Sequence, residues 1–275
     1  MRFYATQFSL VEVDATYYAL PARSNAERWV ERTPPDFVFN VKAYAALTGH
    51  PIDVARLPKD LRASLPDRLS SRERLYPKDL PRECIDAIWS RFLDAIAPLS
   101  NAGKLGCVLM QYPPWFDATR GHAREIESCR ERLGDVRGAV EFRHATWGQP
   151  ERFARVTRLL ADLGLSYVMV DEPQGTPHSM PPNVAVTTPG LAVIRFHGRR
   201  TETWDVGASV REKFDYLYAP EELRPWAPTV RQIAGDAEQV HLVFNNCVSD
   251  HAVLGAKNIM ALLDELERAE PVRGT

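Results

Sequence analysis

Glu141, Arg143, His144 and Trp147 fall within one short stretch, Gly138-Ala139-Val140-Glu141-Phe142-Arg143-His144-Ala145-Thr146-Trp147. Together they offer a proton carrier, an anion ligand, an imidazole and a flat apolar face. The stretch reads as a buried strand with chemistry at its end. A side-chain period of two puts Glu141 and Arg143 on one face and Val140 and Phe142 on the other. In a sheet covered on both faces, polar groups belong at strand ends, where ligands and catalysis sit. A structural Glu141–Arg143 ion pair explains this segment alone equally well, so the rest of the chain must decide.

The same ending recurs strand by strand. Glu12 and Asp14 share a face of the run 10–13, with Tyr17 just beyond it; 37–41 places Asn40 and Lys42 on one side; 106–110 delivers Gln111. Further on, 166–170 ends in Asp171, 191–196 carries Arg195 with His197 beyond it on the same face, and 241–244 ends in Asn245 and Asn246. Private ion pairs would have no reason to collect at one end, so a shared pocket is expected.

Helices are expected between these strands. One opens at Ser24 and contains Trp29; one runs 82–102 with Ile85, Ile88, Trp89, Phe92 and Ile96 at core spacing; others cover 119–133, 150–163, 220–233 and 251–268. Residues 1–8 look like the tail of a helix. Alternating strands and helices argue for a parallel sheet wrapped by helices. The helix-to-strand links are short, such as Gly103-Lys104-Leu105 and Gly164-Leu165, whereas those leaving the strands are long and polar. That asymmetry belongs to a (β/α) barrel with its site on the C-terminal face of the strands. A doubly wound sheet is the rival, but neither phosphate-loop motif, G-x-G-x-x-G or G-x-x-x-x-G-K-[ST], is present. The expectation is α/β, a TIM-type barrel forming one domain over 1–275, with long loops at about 44–81, 174–189 and 199–219. The first of these has five prolines and no sustained apolar period, which makes it a lid or an insertion.

With a net charge of −2 and a pI near 6.4, no global cationic field draws in nucleic acid or an anionic membrane. Cys84, Cys107, Cys129 and Cys247 are scattered, without a C-x-x-C pair, and read as reduced thiols. No apolar run approaches the roughly 20 residues of a membrane helix and no signal peptide is evident, so a cytoplasmic protein is expected.

Several of these words resemble the YecE-like family, domain of unknown function 72. They are Val11-Glu12-Val13-Asp14-Ala15-Thr16-Tyr17-Tyr18, Ala139 to Trp147, Arg195-Phe196-His197-Gly198-Arg199, Phe244-Asn245-Asn246, Tyr216-Leu217-Tyr218-Ala219-Pro220-Glu221-Glu222-Leu223 and Gly103-Lys104-Leu105-Gly106. The likeness runs in order along essentially the whole chain and implies a TIM-type barrel, but no reaction. It also draws Arg199 and Tyr218 into the set expected to bind a ligand. Relatives usually open with a strand bearing a Gly-Thr-Ser-Gly-Trp-like motif and then a helix, whereas this chain enters near that helix's end. The usual first strand is therefore expected upstream, because a barrel lacking one strand leaves two unpaired edges. Asp14 stands where relatives often carry asparagine.

Two functions fit. The first is an enzyme, hydrolase- or isomerase-like, acting on a small polar, phosphorylated or sugar-like substrate. Glu141 is its general acid or base, His197 a second proton carrier, and Glu12 and Asp171 further acids. Lys42, Arg143 and Arg195 hold the anion, with Asp14, Tyr17, Gln111, His144, Trp147, Arg199, Tyr218, Asn245 and Asn246 around it. A divalent metal on Glu12, Glu141, Asp171 and His197 is the weaker variant, because the nearby cations oppose it and the spacing is not diagnostic. No cofactor is indicated. The second function is a nucleic-acid or phosphorylated-ligand binding protein, with cationic loops at 68–78 and 199–211 and Tyr17, Trp115, Trp147 and Trp204 for stacking. His122, His178, His241 and His251 read as surface or packing residues.

Overall fold

The computed structural model of the chain describes residues 1–176, 179–204 and 209–269. Its contacts separate two compact units, Met1–Arg143 and His144–Thr275.

The first unit contains β1 (Leu10–Val13), β2 (Val38–Lys42), β3 (Ile52–Asp53), β4 (Arg74–Leu75), β5 (Leu105–Gln111) and β6 (Gly138–Glu141). β1, β2, β5 and β6 are neighbours in that order and every pair is parallel. Strands buried on both faces read as near-continuous apolar runs, and Phe39, Val41, Cys107, Val108, Leu109 and Met110 are all buried. Helices Arg23–Glu31 and Arg82–Asn101 pack on one another. Ile88, Trp89, Phe92 and Ile96 are buried, and Trp29 stacks on Phe39 at 5.9 Å. The Lys104 ammonium donates to Val30 O (3.0 Å), Thr33 O (2.8 Å) and Thr33 Oγ1 (3.0 Å). A cation there satisfies carbonyls at the end of helix Arg23–Glu31 and fixes where β5 begins.

Residues 44–81 differ from the solvated lid that their sequence suggests. β3 and β4 pair antiparallel within this segment, and Tyr44, Leu47, Ile52, Val54, Leu57, Leu61, Leu65, Leu69 and Leu75 are buried. The apolar residues sit on turns and helices of five residues or fewer, such as Lys59–Ala63 and Asp67–Ser70. No periodicity can build up over such short elements, so a packed segment reads as an irregular one.

The second unit holds β7 (Leu165–Asp171), β8 (Ala192–Phe196) and β9 (Val240–Phe244), again parallel in order. Helices Pro150–Asp162, Trp226–Asp236 and His251–Ala269 alternate with them. The single helix expected from Pro220 is divided into Pro220–Leu223 and Trp226–Asp236. Arg224 and Pro225 keep helical backbone angles, but Pro225 supplies no N–H, so the hydrogen-bond ladder is interrupted there. Residues 174–176 and 179–189 contain neither helix nor strand, as expected, and are tied down by side chains: Gln174 Nε2 donates to Glu172 O and Met180 O, and Thr187 Oγ1 to Leu165 O. The fold class is α/β with the βα order of the TIM type, present in each unit.

Among the described residues no helix is long and apolar enough to cross a membrane. All four cysteines are thiols rather than disulfides.

Candidate functional site

In the first unit β2 ends with Lys42 beside Leu109, two residues before the end of β5. Glu12 lies beside Asn40 across β1 and β2, and Gln111 beside Glu141 across β5 and β6. Convergence at one end therefore holds within this unit. Thr16 Oγ1 lies 3.0 Å from Val13 O and 2.6 Å from Lys42 O, joining the turn after β1 to the end of β2. That contact brings Lys42 Nζ within 3.2 Å of Asp14 Oδ1 and 4.9 Å above the Tyr17 ring. The Asp14 side chain is 44% exposed and that of Lys42 12%. An ion pair half in water contributes little and is readily exchanged for another anion. Arg143 Nη1 is 3.2 Å from Glu141 Oε1, and Glu141 is completely buried.

One residue here was not singled out from the sequence. His50 is buried, with Nδ1 3.0 Å from Thr48 Oγ1 and its ring 5.2 Å from Tyr17 and 5.9 Å from Trp115. Burial, then the charges of Lys42 and Arg143, depress its pKa to about 3, so it is neutral near pH 7. The signal was the glycine before it. Gly49 takes a φ of 82° to end the turn Ala45–Thr48 and send His50 back towards the strand ends. Trp115 follows the expected stiff Pro113-Pro114 pair, where Phe116 N donates to Pro113 O at 2.9 Å and Phe116 stacks on Tyr112 at 4.1 Å. It remains 52% exposed, 6.3 Å from the 42% exposed Tyr76.

In the second unit Asp171 is the hub. Its carboxylate accepts from Arg199 Nε (2.9 Å) and Nη2 (2.6 Å), Tyr218 Oη (2.7 Å) and Trp226 Nε1 (2.7 Å). These donors occupy the lone pairs that proton transfer would need. They also commit Arg199 and Tyr218, expected on a ligand, to Asp171, whose contact raises the Arg199 pKa further. Burial and then Asp171 push the Tyr218 hydroxyl well up. Asp171 O accepts from His197 N at 2.8 Å and Phe196 O from Asn245 N at 2.8 Å, continuing the ladders past β8 and β9. His197 and Arg195 are fully buried, and Asn245 Nδ2 donates to His197 Nδ1 at 3.2 Å. Asn246 is buried beside Gly198.

Gly198 itself is fixed by that approach. Its φ is 93°, and a Cβ there would stand 2.5 Å from Tyr216 Cβ. Gly198→Ala is expected to destabilise the protein by about 1–3 kcal/mol, read as a fall in the urea midpoint at unchanged m. An unchanged midpoint would show that the Tyr216 loop yields freely.

His144 and Trp147 turn inward to local tasks. His144 Nδ1 accepts from Thr146 N (3.3 Å) and meets Thr146 Oγ1 (2.8 Å), capping the turn Ala145–Trp147. Trp147 and Trp204 are buried, at 2% and 3% exposure, which corrects their assignment as stacking faces. The Trp204 ring lies 6.0 Å from Phe214 and 6.3 Å from His197. Arg74 and Arg72 in the expected cationic loop 68–78 pair with Asp53 and Asp79. Of the other loop, residues 205–208 lie outside the described residues, as does His178. His122 pairs with Asp117, His251 lies 3.5 Å from Asp215, and His241 is buried on β9. Among the described residues no three His, Cys, Asp or Glu side chains stand together as a metal ion would require, so the expected candidates Glu12, Glu141, Asp171 and His197 form no such set.

The family model "Protein of unknown function DUF72" matches residues 1–274. The UPF0759 protein YunF of Bacillus subtilis (strain 168) is 31% identical over 268 residues, spanning 96% of this chain and 86% of that protein. Among solved structures, a DUF72 family protein of Enterococcus faecalis V583 superposes with a TM-score of 0.78 at 25% identity, covering 95% of this chain and 86% of the other. One from Thermotoga maritima MSB8 gives 0.70 at 29% identity, with 94% and 85% covered.

Proposed function

Because the chain belongs to the DUF72 family of proteins of unknown function, whose name carries no reaction, we propose its activity from its own residues: acid/base catalysis on a small polar, phosphorylated or sugar-like substrate. One observation carries the reading. A fully buried carboxylate, Glu141, stands 3.2 Å from Arg143, and the charges of Arg143 and Lys42 both act on the buried His50. Lys42 and Arg143 take the anionic group, which displaces the half-exposed Asp14 from Lys42 and uses hydrogen bonds stronger than neutral ones. Glu141 moves the proton, standing beside the guanidinium that holds the anion. His50, uncharged, adds no third cation and keeps the anion site selective for one group. In the second unit, Asp171 is a positioning residue for the end of β8.

A nucleic-acid binding protein is the other reading, favoured by the exposed Trp115 and Tyr76. The net charge of −2 weighs against it.

The deciding experiment is thermal unfolding against divalent metals, sugar phosphates, organic acids and short single-stranded DNA. A ligand at about 100 times its Kd adds ~2.7 kcal/mol of stability. A sugar phosphate or organic acid is expected to stabilise the wild type. Lys42→Met is expected to weaken it about 10-fold, and Glu141→Gln to keep binding while losing turnover. A shift seen only with DNA, steeply salt-dependent and indifferent to Lys42→Met, would replace the enzyme by the binding protein.

A further inference from the structure

The anion site just described has a second wall. From the Lys42 ammonium the contacts run to the Tyr17 ring at 4.9 Å, on to His50 at 5.2 Å, to Trp115 at 5.9 Å and to Tyr76 at 6.3 Å. Trp115 and Tyr76 at the far end are 52% and 42% exposed, whereas Lys42 and His50 are mostly buried. Trp115 is held out by a loop that two prolines and the Phe116 N to Pro113 O turn make stiff. A large aromatic kept exposed on a rigid loop loses little entropy when it gains a partner. Its neighbours His50 and Tyr76 meet it steeply inclined, at 67° and 73°, and Lys78 lies 5.6 Å over the Tyr76 ring.

Resting on the anion-site reading above, we propose that Trp115 stacks on the base of a nucleoside monophosphate whose phosphate is taken by Lys42 and Arg143. Phosphate at one end and a flat ring at the other match a cation pair flanked by aromatic faces. Stacking on an indole accepts every base, because each has a π-face. The surroundings of Trp115 are aromatic, which suits a base better than the hydroxyl-rich face of a sugar. A single nucleotide is favoured over a polymer because a net charge of −2 gives no general attraction for a polyanion.

The test is calorimetric titration of the full chain with adenosine and uridine monophosphates, a ribose phosphate lacking the base, and a short oligodeoxynucleotide. Wild type, Trp115→Ala, Trp115→Phe and Lys42→Met are compared, with melting temperatures to certify the fold. Both nucleotides are expected to bind more tightly than ribose phosphate. Trp115→Ala should cut nucleotide affinity about 5- to 150-fold, the range measured for base–aromatic stacking, and leave ribose phosphate unchanged. Trp115→Phe should restore part of that loss, and Lys42→Met should weaken nucleotide and ribose phosphate alike. Nucleotides binding no better than ribose phosphate, with Lys42→Met still weakening both, would overturn the stacking while the anion site stood. Binding that ignores Lys42→Met would overturn both readings. Tighter binding of the oligonucleotide than of either monomer would overturn the proposal in favour of a polymer.

Discussion

Asp171→Ala is expected to destabilise the protein by about 3–5 kcal/mol, the cost of breaking a buried charge pair from one side. The carboxylate is 6% exposed and receives two guanidinium hydrogen bonds, a phenol and an indole N–H. Alanine leaves all of these donors without an acceptor, and Tyr218 and Trp226 are themselves buried, so water cannot replace the lost oxygens cheaply. Arg199, with a side chain 39% exposed, can turn to solvent or to Glu222, 3.8 Å from Nη1, which limits the loss. Tyr218→Phe separates the contributions. It removes one donor from Asp171 and the acceptor of Gly198 N, 2.8 Å away, and should cost about 1–3 kcal/mol. Urea unfolding of both variants measures the difference. A loss below 1 kcal/mol in Asp171→Ala would mean that the hub is solvated in practice, and would return Asp171 to the candidates for proton transfer.

The strand ends were legible because two simple regularities govern them. Apolar runs bounded by glycine and proline gave the strands, and the period of two named Lys42, Gln111, Glu141, Arg195 and His197 before any coordinates. Glu141–Arg143 was legible both as chemistry and as an ion pair, and the 3.2 Å contact is compatible with either. The partners of Asp171 were not legible. Tyr218 and Trp226 stand 47 and 55 residues beyond it, and no local pattern encodes a hydrogen bond across that separation. His50 was missed for a related reason: it lies in 44–81, whose short turns hide their apolar face, so the segment was read as solvent-facing. Trp147 and Trp204 show the converse. An indole near charged residues looks like a ligand face in sequence, and only the packing around it reveals that it is core.

His50 also makes stability depend on pH in a definite window. Unfolded, the imidazole takes up a proton below about pH 6.5; folded, it does so only below about 3, through burial first and the charges of Lys42 and Arg143 second. Between those values the unfolded state holds more protons, so stability rises with pH. The contribution is complete above pH 6.5 and is lost as pH falls towards 3. By linkage the loss between pH 6.5 and 4 amounts to about 3 kcal/mol, since each pH unit carries 1.36 kcal/mol. Carboxylates in ion pairs, Asp60 with Arg91 among them, weaken the protein in the same direction, so the wild-type curve alone does not isolate His50. The difference between wild type and His50→Asn does. That variant is expected to be less stable at pH 7, where the neutral ring packs against Tyr17 and Trp115, and to lose less on acidification, so that the two urea curves converge near pH 4. Lys42→Met removes one of the two charges that oppose protonation, and should raise the His50 pKa and narrow the window from its acid side. Parallel pH profiles for wild type and His50→Asn would mean that the imidazole takes up its proton in the folded state, and with it the neutral wall assigned to the anion site would fall.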